Sequence, residues 1–176
     1  ITGGAGFIGS NLAKYLLNKG YEVVILDNLY SGFMKNIKDL DVEFIRGDIR
    51  YASALLDACK RVDTICHLAA ISVVPASFTN PREAFDINLY GTLNVLETAV
   101  KANVRKVIFP SSASVYGSGS QNPRPENHAT SPQSPYAISK LGMEHLLSMF
   151  AREHRLDTCS LRLFNVYGPN QDPDLS

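Results

Sequence analysis

The chain has 176 residues, 45% of them hydrophobic, and its 17 basic and 17 acidic side chains give a formal charge of zero. That length supports one core and a single domain, and the balanced, unclustered charge argues against nucleic acid or a membrane surface as the main partner. No apolar run approaches the roughly 20 residues that cross a bilayer, no charged-then-apolar leader opens the chain, and Cys59, Cys66 and Cys159 lack C-x-x-C spacing, so the expectation is no metal and buried thiols in a reducing cytoplasm.

The chain opens with Gly3, Gly6 and Gly9 at the spacing of a dinucleotide-binding turn. The first glycine permits a tight turn after a strand, the second lets backbone approach a pyrophosphate, and the third lets helix pack close on sheet. Leu12, Ala13, Tyr15, Leu16 and Leu17 then recur at helical spacing up to the stop signal at Gly20. That helix would turn its free N–H groups and positive dipole end toward the phosphates. Residues 22–27 read as a buried parallel strand ending in Asp27. A carboxylate there accepts hydrogen bonds from the adenosine ribose and repels a 2′-phosphate, which points to NAD rather than NADP. Only Ile1 and Thr2 precede the glycines, short of the about five residues a central strand takes, so we expect a chain that starts inside its first strand.

Strands and helices go on alternating. The pattern predicts strands at 42–46, 64–68, 106–109 and 158–164, with helices at 52–59, 81–102 and 135–154 and one long polar loop over 117–135. Such βαβ units imply a doubly wound, Rossmann-type parallel sheet with helices on both faces and the ligand at the carboxyl ends of the strands. Asp48 and Ile49, the run His67, Leu68, Ala69 and Ala70, the pair Ser111 and Ser112, and Phe164 with Asn165 collect at those ends. The small Ala69 and Ala70 allow backbone to run beside a cofactor, whereas His67 reads as a satisfied strand-end histidine. Tyr136 and Lys140, four residues apart, share one helix face. A nearby ammonium and a positive nicotinamide ring would favour the phenolate, which could take a proton from a substrate hydroxyl while hydride leaves the same carbon. Ser111 and Ser112 are both placed, on spacing, to share that proton. Pro110 is tolerable in its strand if its nitrogen faces no ladder partner.

These motifs together resemble the extended short-chain dehydrogenase/reductase family, specifically its NAD-dependent epimerase/dehydratase branch and the nucleotide-sugar epimerases of the UDP-glucose 4-epimerase type. The likeness runs from Thr2–Ser10 through Leu26–Leu29, Gly47–Ile49, His67–Ala70, Asn88–Leu93, Ser111–Gly117 and Tyr136–Lys140 to Leu161–Pro169. The resemblance implies that Ser112, Tyr136 and Lys140 are catalytic: Tyr136 as base and acid, Lys140 on the nicotinamide ribose, Ser112 on the sugar hydroxyl. It implies Phe7 and Ile8 at the pyrophosphate, Asp27, Asn28, Leu29, Ser31 and Gly32 at the adenosine ribose, and Asp48 and Ile49 at adenine. Ala69, Ser72, Asn88 and Phe164 would line the nicotinamide side, Leu68 and Ala70 would also bind the cofactor, and Asn165 would reach the sugar nucleotide.

The implied reaction is oxidation at sugar C4, rotation of the 4-keto sugar and return of hydride to its other face. Related dehydratases and decarboxylases carry an acid just after the catalytic hydroxyl, where this chain has Ala113 and Ser114, so epimerase is favoured. A dehydratase, a decarboxylase, a reductase that releases its cofactor and a non-catalytic NAD-sensing module are the alternatives. The resemblance also implies a homodimer through the helices at 81–102 and 135–154, with Val95, Ala99, Met143, Leu146 and Leu147 as a candidate apolar face. Residues 1–165 would form the NAD-binding domain and 166–176 the start of a substrate-binding segment whose remainder is absent. This polypeptide by itself is accordingly expected to bind NAD weakly and not to turn over a nucleotide sugar.

Overall fold

Five parallel strands form the sheet of the computed structural model, which describes residues 1–119 and 123–171. Part of the expected 117–135 loop and the last five residues of the 166–176 segment lie outside the described residues. Strand β1 (Val24–Asp27) pairs with β2 (Glu43–Arg46), and β3 (Thr64–Cys66) pairs with β4 (Lys106–Ser112), which in turn pairs with β5 (Asp157–Leu163). Thr2 joins the two halves, bridging Leu26 on one side and His67 on the other, both parallel. Its N–H reaches the Cys66 carbonyl at 3.0 Å, and Gly3 N–H reaches the Leu26 carbonyl at 2.9 Å. The spatial order is β2, β1, the Thr2 segment, β3, β4, β5, so the earliest residues are central and the crevice opens beside them.

Among the described residues there are six α-helices: α1 (Phe7–Asn18), α2 (Ala52–Ala58), α3 (Val74–Thr79), α4 (Pro81–Phe85), α5 (Gly91–Lys101) and α6 (Pro135–Glu153). On one face Leu26, Ile65, Val107 and Phe109 pack against Val95, Leu96, Met143 and Leu147. On the other, Ile25 and Val23 meet Ala5, Ala13 and Ile37. Strand neighbours Ile25 and Leu26 thus fall in opposite layers, as the two-residue period of a strand covered on both faces requires.

Several elements differ from expectation. Helix α1 begins at Phe7, inside the glycine turn. Strand β1 starts at Val24, and the regular part of β3 ends at Cys66. The helix expected over 81–102 is two helices joined by a π-helical turn at Asp86–Tyr90, and α3 carries no forecast because six residues present too little periodicity. Val95, Ala99 and Met143 are 0% exposed and Leu147 is 1% exposed, and Leu146 packs against the same core. That corrects the candidate dimer face: these side chains are spent inside the chain, because α5 and α6 turn their strongest apolar stripes onto the sheet. Of the cysteines, Cys59 is buried, while Cys66 and Cys159 are only half-buried.

Strand β4 runs on to Ser112 and takes in Pro110. The N–H and C=O of a residue in a parallel ladder point the same way, and Ile108 faces β3 by accepting from His67 N–H at 2.8 Å. Pro110, two residues on, faces the same side, past the last β3 pairing at Cys66 and Ile108. Its missing N–H therefore leaves no ladder partner wanting, which meets the condition set for it.

Leu96→Ala removes a wholly buried side chain from the larger core layer and should cost about 2–5 kcal/mol. Urea denaturation checks this; a loss under about 1 kcal/mol would mean that α5 is not held by this packing.

Candidate active site

The glycines shape one end of an elongated cavity of about 690 Å³. Gly3 has φ +68°, and a Cβ on it would lie 2.7 Å from Ala69 N. A Cβ on Gly9 would strike the Gly3 carbonyl and stand 2.7 Å from Gly4 Cα, so the helix could not sit this close to the turn. A Cβ on Gly6 meets nothing nearer than Gly3 O at 3.4 Å; it would fill cavity space instead. Phe7, Ile8 and Gly9 open α1, whose first turn holds no acidic residue and whose N-cap makes no side-chain hydrogen bond. Their N–H groups and the helix dipole therefore present an anion site beside Gly6.

Asp27 stands at the end of β1, 7% exposed. Its Oδ2 accepts from Ala5 N–H at 2.9 Å and its Oδ1 from Leu29 N–H at 2.8 Å. The carboxylate thus pins the glycine turn and holds Leu29 at φ +62°, leaving further lone pairs for ribose hydroxyls. Asp48 accepts from Arg50 backbone and Nε on one oxygen, and from Asn28 Nδ2 and an Arg50 guanidinium nitrogen on the other. Those hydrogen bonds, Arg50's side chain foremost, hold its carboxyl down at about 2.

Ser112, Tyr136 and Lys140 meet at the other end of the cavity. Helix α6 starts where it does because the Ser134 side chain caps Ala137 N–H at 3.1 Å and Pro135 occupies the first turn. The unforecast α3 fixes that start further, through Ser77 Oγ accepting from Tyr136 N–H at 3.2 Å. Lys140 is 4% exposed. Its Nζ donates to Pro110 O at 3.0 Å, 4.6 Å above the Phe109 ring and 5.7 Å from the Tyr136 ring centre. Burial lowers Lys140 to about 7. Burial raises Tyr136, and a hydrogen bond from Ser112 pulls it partly back. The phenolate expected from the neighbouring ammonium is thus not favoured by this chain's residues alone.

Ser111 and Ser112 diverge. Ser111 Oγ, 3% exposed, donates to Glu144 Oε1, whereas Ser112 faces Tyr136 and caps the following 3₁₀ turn through Ser114 N–H at 3.1 Å. Glu144 lies one turn beyond Lys140 and is gripped by Arg162 at 2.8 Å. Arg162 is opposite Ser111 in the ladder and also reaches Tyr116 Oη at 3.1 Å and the Glu126 carbonyl at 3.0 Å. Burial pushes the Glu144 carboxyl up, but the hydrogen bonds from Arg162 and Ser111 outweigh it and set it below its ordinary value. This network holds β4, α6 and β5 together behind the three cavity residues.

Of the residues singled out in the sequence, Gly3, Gly6, Phe7, Ile8 and Gly9 line the cavity with Asp27, Asn28, Ser31 and Gly32. So do Asp48, Ile49, Leu68, Ala69, Ala70, Ser72, Phe164 and Asn165. Leu29 and Asn88 do not line it. Asn88 is buried behind the wall, exchanging two hydrogen bonds with Ile71 and donating to Ser139 Oγ at 2.8 Å. Tyr30, Phe33 and Tyr167 also line the cavity; they are aromatic residues outside the regular strands and helices. Glycine turn, anion-ready helix, ribose-side carboxylate and a distant polar end fit an extended dinucleotide.

The family model described as the NAD dependent epimerase/dehydratase family matches residues 1–176. The chain is 38% identical to a UDP-glucose 4-epimerase of Streptomyces lividans over 174 residues, covering 97% of this chain and 53% of the relative. Among solved structures it matches the UDP-glucose 4-epimerase of Thermus thermophilus in complex with NAD, with a TM-score of 0.93, 41% identity and coverage of 98% of this chain and 56% of that one. A dTDP-glucose 4,6-dehydratase from Streptomyces venezuelae, solved with NAD, matches with the same TM-score at 38% identity, covering 98% of this chain and 57% of its own. The chain spans about half the length of the curated relatives it matches.

Asp48 and Glu144 both have lowered folded values, so their contribution is present above the unfolded carboxylate range and lost as pH falls through the folded values. Urea midpoints should therefore fall as pH drops from about 5 toward 2. Arg162→Met should cost about 1–3 kcal/mol at neutral pH by leaving Glu144 without its cation and should make that acid slope shallower. A variant as stable as the parent at pH 7 would contradict the clamp.

Proposed function

The chain belongs to the NAD dependent epimerase/dehydratase family, and from that premise we propose that it is the NAD-binding and catalytic part of a nucleotide-sugar 4-epimerase, with UDP-sugars as the favoured substrates. The observation that carries this reading is the convergence of Ser112, Tyr136 and Lys140 at one end of a cavity whose far end is the glycine turn with Asp27 and Asp48.

NAD, when bound, supplies a hydride acceptor. This chain's residues supply the rest. The Tyr136 hydroxyl is placed to take the proton of the sugar C4 hydroxyl and to return it, and Ser112 orients that hydroxyl while stabilising negative charge on Tyr136. Lys140 supplies donors beside Tyr136 and is positioned for the nicotinamide ribose. The N–H groups opening α1 and the Asp27 carboxylate would hold the pyrophosphate and the adenosine ribose. Asn165, in the wall at the Tyr136 end, is positioned for the sugar nucleotide.

A dehydratase is the second reading, because a dehydratase is among the solved relatives. Elimination of water needs an acid and a base beyond the tyrosine. Among the described residues lining the cavity, the carboxylates are Asp27 and Asp48, both at the adenosine end, and Glu144 is occupied by Arg162 and Ser111. That distribution favours epimerisation. The same reading places the protein in the cytoplasm as a homodimer. With Val95, Ala99, Met143 and Leu147 internal, such a dimer would draw on exposed Tyr90, Ile138 and Met149 instead.

The full gene product should interconvert UDP-glucose and UDP-galactose. Tyr136→Phe should lower kcat by roughly 10²–10⁴ while NAD binding survives. Water loss from the sugar with no epimer formed would select the dehydratase, and NAD binding with no tyrosine-dependent turnover would select a sensing module.

A further inference from the structure

His67 lines no part of the cavity and is 0% exposed, yet both of its ring nitrogens are engaged. Nδ1 lies 2.7 Å from Thr2 Oγ1, and Nε2 lies 2.9 Å from Thr92 Oγ1. The two threonines decide which nitrogen carries the proton. Thr92 donates its single hydroxyl hydrogen to the Asn88 carbonyl, so its oxygen can only accept from the ring, and Nε2 must be the N–H. Thr2 Oγ1 accepts from Ala69 N–H at 3.2 Å, which leaves its own hydrogen for Nδ1. Every donor then has one acceptor, in one direction, from Ala69 through Thr2, His67 and Thr92 to Asn88. A second ring proton, on Nδ1, would face the Thr2 oxygen and strand that hydroxyl's hydrogen in a buried site.

Each end of this chain of bonds reaches the cavity. Ala69 belongs to its wall. Asn88 sits in the π-helical turn and passes the connection to Ile71 and to Ser139 Oγ, which donates to the Tyr136 carbonyl at 2.7 Å. We propose that His67 is a positioning residue, a permanently neutral Nε2–H imidazole that sets the spacing between the Ala69 wall and the helix carrying Tyr136 and Lys140. The environment agrees: burial, followed by the positive charge of Lys140, lowers His67 to about 3. The kinetic consequence rests on the epimerase reading above; the protonation state does not.

The test begins with the full gene product labelled with ¹⁵N-histidine, its His67 signals assigned with His67→Gln and followed by NMR from pH 5 to 8.5. A neutral Nε2–H pattern that does not move with pH is expected; titration in that range, or an Nδ1–H tautomer, overturns the proposal. The second arm compares Thr92→Val, which keeps shape but deletes both hydrogen bonds, with Thr92→Ser, which restores them. Thr92→Val should lower kcat roughly ten- to a hundredfold with KM little changed, and Thr92→Ser should recover it. Full kcat in a folded Thr92→Val protein overturns the positioning role. If Thr92→Val does not fold, the NMR result and the kcat of Thr92→Ser decide. A parent with no epimerase activity would overturn the epimerase reading while leaving the NMR arm decisive for His67.

Discussion

The arrangement of this site follows from burying the Lys140 amine. Lys140 is nearly sealed from solvent between the Phe109 ring and the end of β4, and a polar donor in such a place needs an acceptor. The acceptor is the Pro110 carbonyl, which is available because the ladder toward β3 has already ended at Ile108. Proline suits that position twice: it lacks the N–H that would have no partner, and its carbonyl points where the ladder no longer uses it. A strand one pair longer on the β3 side would compete for that carbonyl.

Holding Lys140 there fixes α6 against β4, and the Ser111, Glu144 and Arg162 network does the same one helical turn further along. The alternation of a strand then does the rest. Ser111 turns to the clamp, so its neighbour Ser112 turns to Tyr136. At the other end of the cavity close approach does the equivalent work through absence of side chains, since Gly3 and Gly9 allow the turn, the Ala69 backbone and α1 to sit closer than any Cβ permits. Asp27 holds the turn by Ala5 N–H and the loop after β1 by Leu29 N–H.

How much of this was legible in the sequence depended on range. Alternating apolar runs and the three glycines specify the parallel sheet and its crevice, because period and steric demand are local. Tyr136 and Lys140 are legible as a pair because helical spacing alone brings them together. Thr2, Thr92, Ser139, Glu144 and Arg162 were given no role, even where they fall inside a motif, since each matters through a partner 18 or more residues away. The π-helical turn escaped for a related reason: its five residues continue the helical period on both sides, and only the demand that Asn88 reach Ile71 and Ser139 makes the extra residue visible. Ser111 and Ser112 could be separated only once Glu144 was seen to take the first of them.

The proton affinities left in this site have a consequence for how it works. Burial moves Tyr136 up and Lys140 down, each toward its neutral form. The protein alone therefore stabilises neither a phenolate nor a full ammonium near neutral pH, and Ser112 offsets only part of the first shift. A tyrosine that is to act as a base must then gain its acidity from positive charge arriving with what it binds, and a lysine near neutrality is easily returned to its charged form by new acceptors. Read as an epimerase, the site would have a strong base only with its cavity filled. The neutral His67 behind it fits that logic, because a second titrating cation in the wall would lower Tyr136 whether or not the cavity held anything.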